Sequence, residues 1–192
     1  VQTCCLRCGK PSSGMDSPGD CPECRGRKFH LERVDSLYLN DGAAHELILK
    51  LKYARGLHLA RLFARELADY PQGQELDTDS IVVPVPQSIK SRVKRGYNQA
   101  EEISRRVAGL CSIKHCNLLK KSAFALSQTK LNRKERLTVN RKTIVVRRKY
   151  LGKPWKAVNF LLIDDVYTTG GTVNECARVI KKAFPGCRVS AL

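Results

Sequence analysis

Two adjacent carboxylates, Asp164 and Asp165, follow the apolar run Phe160 to Ile163 directly, and Thr168, Thr169, Gly170, Gly171 and Thr172 come within a few residues. Paired acids at a strand tip can accept hydrogen bonds from a diol. A glycine-containing turn that opens a helix presents unpartnered first-turn N–H groups and the positive end of the helix dipole, which together suit a phosphate. Glycines let the backbone approach such a ligand closely, and threonine hydroxyls add side-chain donors. The chemistry this spacing fits is the grip of a sugar phosphate. Two plainer assignments compete with it. The acids could cap a surface turn, or they could be the acidic end of a P-loop nucleotidase; against the second, no G-x-x-x-x-G-K-[ST] occurs in the chain.

Cysteines form the second chemical pattern. Nine are present, and Cys5, Cys8, Cys21 and Cys24 make two C-x2-C pairs separated by twelve residues. Two such knuckles can bring four thiolates to one tetrahedral Zn2+, a structural site with no open position for catalysis. About thirty residues bury too little apolar surface to fold without such a staple. Cys4 is a neighbouring thiol that could replace Cys5, His30 could join the cluster, and two disulfides in an exported mini-domain are the alternative. Cys111, Cys116, Cys176 and Cys187 fall within predicted elements and read as packed thiols.

The elements that must position these groups read as an α/β domain. Residues 1–30 are expected to form the metal-binding unit and residues 31–192 the α/β unit, a mainly parallel sheet with helices on both faces. Val34 to Leu39 reads as a strand. Helical periodicity predicts helices over Ala43 to Tyr53 and Leu57 to Tyr70, with the basic turn Lys50 to Gly56 between them. Pro71 to Ser80 is an acidic loop. Ile81 to Val85 is a buried strand whose prolines, Pro84 and Pro86, end ladder pairing. Lys90 to Gln99 reads as a cationic loop leading into a helix from Gln99 to Leu110, which Asn98 can cap. Phe160 to Ile163 is a strand covered on both faces. Val173, Ala177, Ile180 and Phe184 mark a helix that Pro185-Gly186 stops, and Leu192 falls in a further strand.

Charge bounds the partner. The 192 residues carry a formal net charge of +17. Between Lys114 and Lys156 there are fourteen Lys/Arg and one acid, Glu135, and Lys90, Arg92, Lys94 and Arg95 form a second cluster. A solvated face explains four or five like charges, but a chain this lopsided points to a polyanion, nucleic acid first and an anionic membrane surface second. No apolar stretch approaches the length of a membrane span and no signal-peptide pattern opens the chain, so the expected location is the cytosol. Tyr97 and Trp155 are candidates for stacking on bases, with packing as the alternative for each.

Two resemblances sharpen this reading. LLIDDVYTTGGT resembles the 5-phosphoribosyl-1-diphosphate (PRPP) motif of type I phosphoribosyltransferases. The resemblance implies that family's Rossmann-like fold, Asp164 and Asp165 on the ribose hydroxyls, and Thr168 to Thr172 on the 5-phosphate. Asp164, Asp165, Val166, Tyr167, Thr168, Thr169, Gly170, Gly171 and Thr172 are therefore the candidate PRPP site. VVPVPQSIKSRVKRGYNQAEEIS and LKYARGLHLARLFARELA are similar to segments of the ComF family, phosphoribosyltransferase-like proteins with an N-terminal zinc knuckle. With Cys5–Cys24, Ser127–Arg141 and Phe160–Leu192, the likeness covers nearly the whole chain in order.

The ComF resemblance implies a role in natural transformation, handling single-stranded DNA on the cytoplasmic side, beside a DNA-uptake helicase. Candidate nucleic-acid or pyrophosphate contacts are Lys52, Arg55, Lys90, Arg92, Lys94, Arg95, Tyr97, Lys130, Arg133, Lys134, Arg136 and Arg141. A second function stays open: a phosphoribosyltransferase acting on an unknown acceptor, with Mg2+ on the pyrophosphate and Lys52 or Arg95 near it. A zinc-ribbon regulatory or scaffold protein is the third.

Overall fold

The computed structural model describes residues 5, 7–9, 11, 21–22, 24–53, 56–70, 76–122, 144–153, 155 and 158–192. In chain order the elements are α1 (Gly42–Tyr53), α2 (Leu57–Asp69), β1 (Ile81–Pro84), α3 (Ile89–Arg95), α4 (Gln99–Leu110), β2 (Lys114–His115), β3 (Leu119–Lys121), β4 (Ile144–Val146), β5 (Asn159–Ile163), α5 (Gly171–Ala183) and β6 (Arg188–Ala191). A short 3-10 turn occupies Arg148–Tyr150. No helix among the described residues is long and apolar enough to cross a membrane.

Four strands form a parallel sheet in the order β2-β1-β5-β6. Its two central strands are apolar from Ile81 to Pro84 and from Phe160 to Ile163 because each face is covered. Ile81, Val83, Phe160 and Leu162 pack against Val173, Cys176, Ala177 and Ile180 of α5. The alternating positions Val82, Leu161 and Ile163 pack against Leu51 of α1, Phe63 and Leu67 of α2, and Ile103 and Val107 of α4. A strand buried on both sides cannot show polar alternation, which explains the unbroken runs IVV and FLLI. The expected parallel α/β architecture with helices on both faces is what the chain adopts.

Several local expectations need correction. Val34 to Leu39 is not a strand: Val34 makes one parallel bridge, to Ala191. Backbone bonds Glu32 N–H to Val189 O (2.8 Å), Ala191 N–H to Arg33 O (3.0 Å) and Asp35 N–H to Ala191 O (3.0 Å) lay only residues 32–35 along β6. The predicted loop over Lys90 to Gln99 contains α3. Ser88 caps it by accepting from the Ser91 amide, and Gly96, at φ 81°, closes it in the left-handed conformation that glycine adopts at no steric cost. Asn98 precedes α4 without capping it; its Nδ2 donates to Val85 O at 3.1 Å and ties the helix to the end of β1. Pro84 sits inside β1 opposite Ile163. The amide it lacks would face β2, which ends at His115, so no ladder bond is lost.

A second, two-stranded antiparallel sheet pairs β3 with β4, placing Lys121 opposite Ile144. The basic stretch Ser127 to Arg141, which falls between these strands in the chain, lies outside the described residues.

Candidate functional site

The carboxyl ends of β1 and β5 share one edge of the sheet, and the acid pair stands there. The Asp164 amide donates to Leu192 O (3.3 Å) beyond the end of β6. One Asp164 carboxylate oxygen, Oδ1, accepts from the Asp165 amide at 2.9 Å. Asp165 Oδ2 lies 3.0 Å from Lys52 Nζ, both side chains being less than one-fifth exposed. Lys52 reaches this point because Leu51, next to it on the last turn of α1, is fully buried against the sheet. Burial and then the neighbouring Asp165 charge push the Asp164 carboxyl up to about 7, against the opposing pull of the Asp165 amide and of Lys52.

Past the acids the chain turns through Val166 to Gly170 into α5. Gly170, at φ 71°, is the residue before the helix, and no side chain caps it. A Cβ at Gly170 would fall 2.0 Å from Tyr167 Oη and 2.4 Å from its Cζ, so this position demands glycine on two counts. At Gly171 the nearest atom to an added Cβ is Thr169 Oγ1 at 3.7 Å, ordinary contact. The protein's own packing therefore requires only the first glycine. Thr168, Thr169 and Thr172 are exposed around the turn. Val166 and Thr168 join Asp164 and Asp165 on one side of a cavity of about 290 Å³, whose other walls include Leu37, Ile48 and Phe63.

Tyr167 turns away from the threonines. Its ring covers Gly170 and its hydroxyl donates to Arg7 O at 3.2 Å, in the cysteine knuckle. Asn174, on the first turns of α5, adds two further links: its Oδ1 accepts from His30 N–H (2.7 Å) and its Nδ2 donates to Lys28 O (3.0 Å). The turn and the knuckle are thus braced to each other, an arrangement for which no spacing in the sequence gave a signal.

In the knuckle, the sulfurs of Cys5, Cys8, Cys21 and Cys24 all lie within 4.8 Å of one another. Cys8 Sγ and Cys21 Sγ are 3.8 Å apart. Tetrahedral zinc with Zn–S bonds of about 2.3 Å needs sulfurs about 3.8 Å apart, so the four residues fit that ion. The Cys21 amide donates to Cys5 Sγ at 3.3 Å. Burial raises the Cys5 thiol but is outweighed by backbone donors from Cys21, Arg7 and Cys8, which bring it down to about 7 and favour the thiolate a metal needs. Among the described residues this is the set of three or more Cys, His, Asp or Glu side chains placed to hold a metal ion. Cys5, the member favoured by spacing, belongs to this set, and Cys4 lies outside the described residues. Cys116, Cys176 and Cys187 are buried and Cys111 is half-buried, each thiol pushed up first by burial.

The cationic candidates separate into groups. Lys52 meets the acid pair. Lys90, Arg92, Lys94 and Arg95 line α3, with Arg92 Nη2 at 3.5 Å from Glu101. Tyr97 gives its hydroxyl to Leu51 O, anchoring the end of α1, so its polar end is committed to the fold. Trp155 packs with Tyr150, Phe160 and Phe184 at ring-centroid distances of 5.7, 5.9 and 5.2 Å, and the packing reading holds for it. Arg55, Lys130, Arg133, Lys134, Arg136 and Arg141 lie outside the described residues. One aromatic was overlooked in sequence: Tyr53, at the end of Lys50-Leu-Lys-Tyr53, is exposed and lies under Arg95 and Lys94. Its place in a basic turn was the available signal.

Fold and sites together define a mainly parallel α/β protein carrying a tetracysteine knuckle. Comparison with known proteins narrows the class. Competence protein F of Haemophilus influenzae is 29% identical over 125 residues, 65% of this chain and 54% of that protein. Competence protein ComFC of Bacillus subtilis is 24% identical over 190 residues, 97% of this chain and 75% of that protein. These homologues support membership of the ComF/ComFC family. The chain spans about half the length of the Haemophilus protein. No family model matches the chain. A solved structure described as the allosteric regulatory enzyme of purine biosynthesis aligns with TM-score 0.47 and 15% identity, over 75% of this chain and 30% of that one.

Proposed function

We propose that this protein handles single-stranded DNA in natural transformation and that its acid pair and Thr/Gly turn bind PRPP or a similar sugar phosphate. The observation that carries the ligand reading is the sequence of groups at the sheet edge: two carboxylates directly after β5, then a turn at Gly170 into an uncapped helix start. Asp164 and Asp165 take the ribose hydroxyls, and the turn from Thr168 to Thr172 takes the 5-phosphate. Residues 1–30 act as the metal-binding unit, with zinc on Cys5, Cys8, Cys21 and Cys24 supplying stability to a segment with little core. The DNA reading rests on the net charge of +17 and on the two competence proteins. A cytoplasmic location and a DNA-uptake helicase as neighbour belong to the same proposal.

The test has two arms. A labelled single-stranded oligonucleotide is titrated at several salt concentrations; affinity falls with a log–log slope of about −0.7 per phosphate neutralised. No binding, or a flat salt dependence, overturns the DNA arm. PRPP binding is measured by calorimetry on the protein and on D164N/D165N; equal affinity overturns the ligand arm.

A second reading, transfer of ribose 5-phosphate to an acceptor, is favoured by the cavity beside the acid pair, whose walls Leu37, Ile48 and Phe63 are apolar. Catalysis would then come from positioning and charge stabilisation. Mg2+ would arrive on the ligand's pyrophosphate, since among the described residues no set of three or more Cys, His, Asp or Glu side chains at this edge is placed to hold an ion. Pyrophosphate release from PRPP in the presence of Mg2+, abolished in D164N/D165N, is the expected signature.

A further inference from the structure

The helix α3 has no buried residue in its seven positions, yet it is well formed, capped by Ser88 and closed by Gly96. Four of the seven side chains are cationic: Lys90, Arg92, Lys94 and Arg95. Arg92 faces Glu101 at 3.5 Å, whereas Lys90 and Lys94 meet no carboxylate among the described residues. Val93 stands 80% exposed among these charges. A helix with this composition on its outer side contributes nothing to the core; what it offers is a charged surface.

Beside α3 lies Tyr53, the last residue of α1, with 61% of its surface open. Arg95 Cζ is 5.2 Å and Lys94 Nζ 5.9 Å from its ring centroid. Arg95 is itself held in place, with Nη2 3.4 Å from the Tyr53 hydroxyl and Nη1 3.3 Å from Oε1 of buried Gln99. Tyr97 fixes the neighbouring backbone by donating to Leu51 O. The ring is therefore a positioned aromatic surface, not a loose side chain, and it is set among cations.

We propose that Tyr53, with Lys94 and Arg95, is a platform on which single-stranded nucleic acid stacks one base while its phosphates run along α3. An exposed aromatic among Lys and Arg offers two things at once: a π-face that any unpaired base can use, and charge for the backbone. A duplex hides its base faces, so the surface selects single strands. Acidic peptides could meet the charge but would gain little from the ring. Lys52, adjacent to Tyr53 on α1, reaches Asp165 in the other direction. One helix end thus joins the strand path to the acid pair. This inference rests on the DNA arm of the proposed function and adds to it the residues that take the base.

The experiment compares wild type, Y53A, Y53W and K94Q on two oligonucleotides of equal length, one of thymidines and one with abasic backbone. Stacking of 1–3 kcal/mol per base corresponds to a loss of about 5- to 150-fold for Y53A on the thymidine strand. The same change leaves abasic binding within twofold, and Y53W restores thymidine binding. K94Q weakens both strands and makes the salt slope shallower by about 0.7. If wild type binds and Y53A binds thymidines equally well, or loses both strands in parallel, the platform is wrong and the DNA reading survives. If wild type binds neither strand, both fail. Tyr53 is exposed, so Y53A keeps its fold, which circular dichroism verifies.

Discussion

Lys52 Nζ sits 3.0 Å from Asp165 Oδ2, so the end of α1 and the tip of β5 are joined by an ion pair across the edge where the sheet presents its loops. The pair leaves Asp164 as the carboxyl whose charge is least well tolerated, since burial and Asp165 both oppose it. Asp164 is raised above its ordinary value, so it favours the folded state while protonated. That contribution is complete below about pH 4 and is lost as pH rises through about 7. Relative to D164N, wild type is expected to lose stability across this window by about 1.4 kcal/mol for each unit of pKa difference. Urea midpoints of both proteins between pH 4 and 8 measure it; parallel curves would refute the raised carboxyl. Removing the cation in K52M raises Asp164 further and moves the window upward.

Gly170 and Gly171 should respond oppositely to alanine. G170A forces a Cβ into the Tyr167 phenol and a left-handed φ on a residue that resists it, and is expected to cost about 2–4 kcal/mol. G171A fits the folded chain and should be neutral or slightly stabilising, by up to about 1 kcal/mol. If the turn holds a phosphate, G171A nevertheless loses PRPP affinity, because the added methyl stands where the ligand approaches. Denaturation and calorimetry on the two variants separate these effects.

Metal removal should be felt at the turn. Tyr167, His30 and Lys28 connect the knuckle to Gly170 and Asn174, so chelation or C21S is expected to raise amide exchange across residues 167–174 as well as in the knuckle. Metal analysis of wild type should return one zinc per chain. Y167F, which removes only the hydroxyl's bond to Arg7, should retain the metal and cost about 1 kcal/mol. Unchanged exchange at the turn after zinc loss would mean the brace is not transmitted.

Trp155 supplies a control for the nucleic-acid experiments. It touches three aromatic rings, so W155A is expected to cost about 3 kcal/mol in stability. Oligonucleotide affinity of the folded variant should stay within twofold of wild type. A larger loss would place the indole on the strand path after all.

Much of the architecture was readable because burial leaves a periodic trace. The two-sided strands β1 and β5 appear as unbroken apolar runs, and α1, α2, α4 and α5 repeat their apolar residues every three to four positions. The cysteine spacing stated its geometry outright. What misled was local chemistry without burial. α3 buries nothing, so no periodicity announced it, and its Ser88 and Gly96 caps were the only signs. Val34 to Leu39 reads as a strand, yet only Val34 bridges to β6, at Ala191. Asn98 has the right residue type for a cap, but its side chain is turned so that Nδ2 donates to Val85 O, and its oxygen accepts no amide of the first turn. The Lys52–Asp165 pair joins residues 113 positions apart, beyond anything spacing can show.

The antiparallel pairing of Lys121 with Ile144 roots both ends of residues 122–143 at one point on the molecule. That interval holds six Lys/Arg and one acid. Because adjacent strands lie about 5 Å apart, a hairpin connection of two to five residues can close the same gap. Replacing the interval with such a turn would remove five units of net positive charge in one step, and the strands that frame it are expected to stay paired.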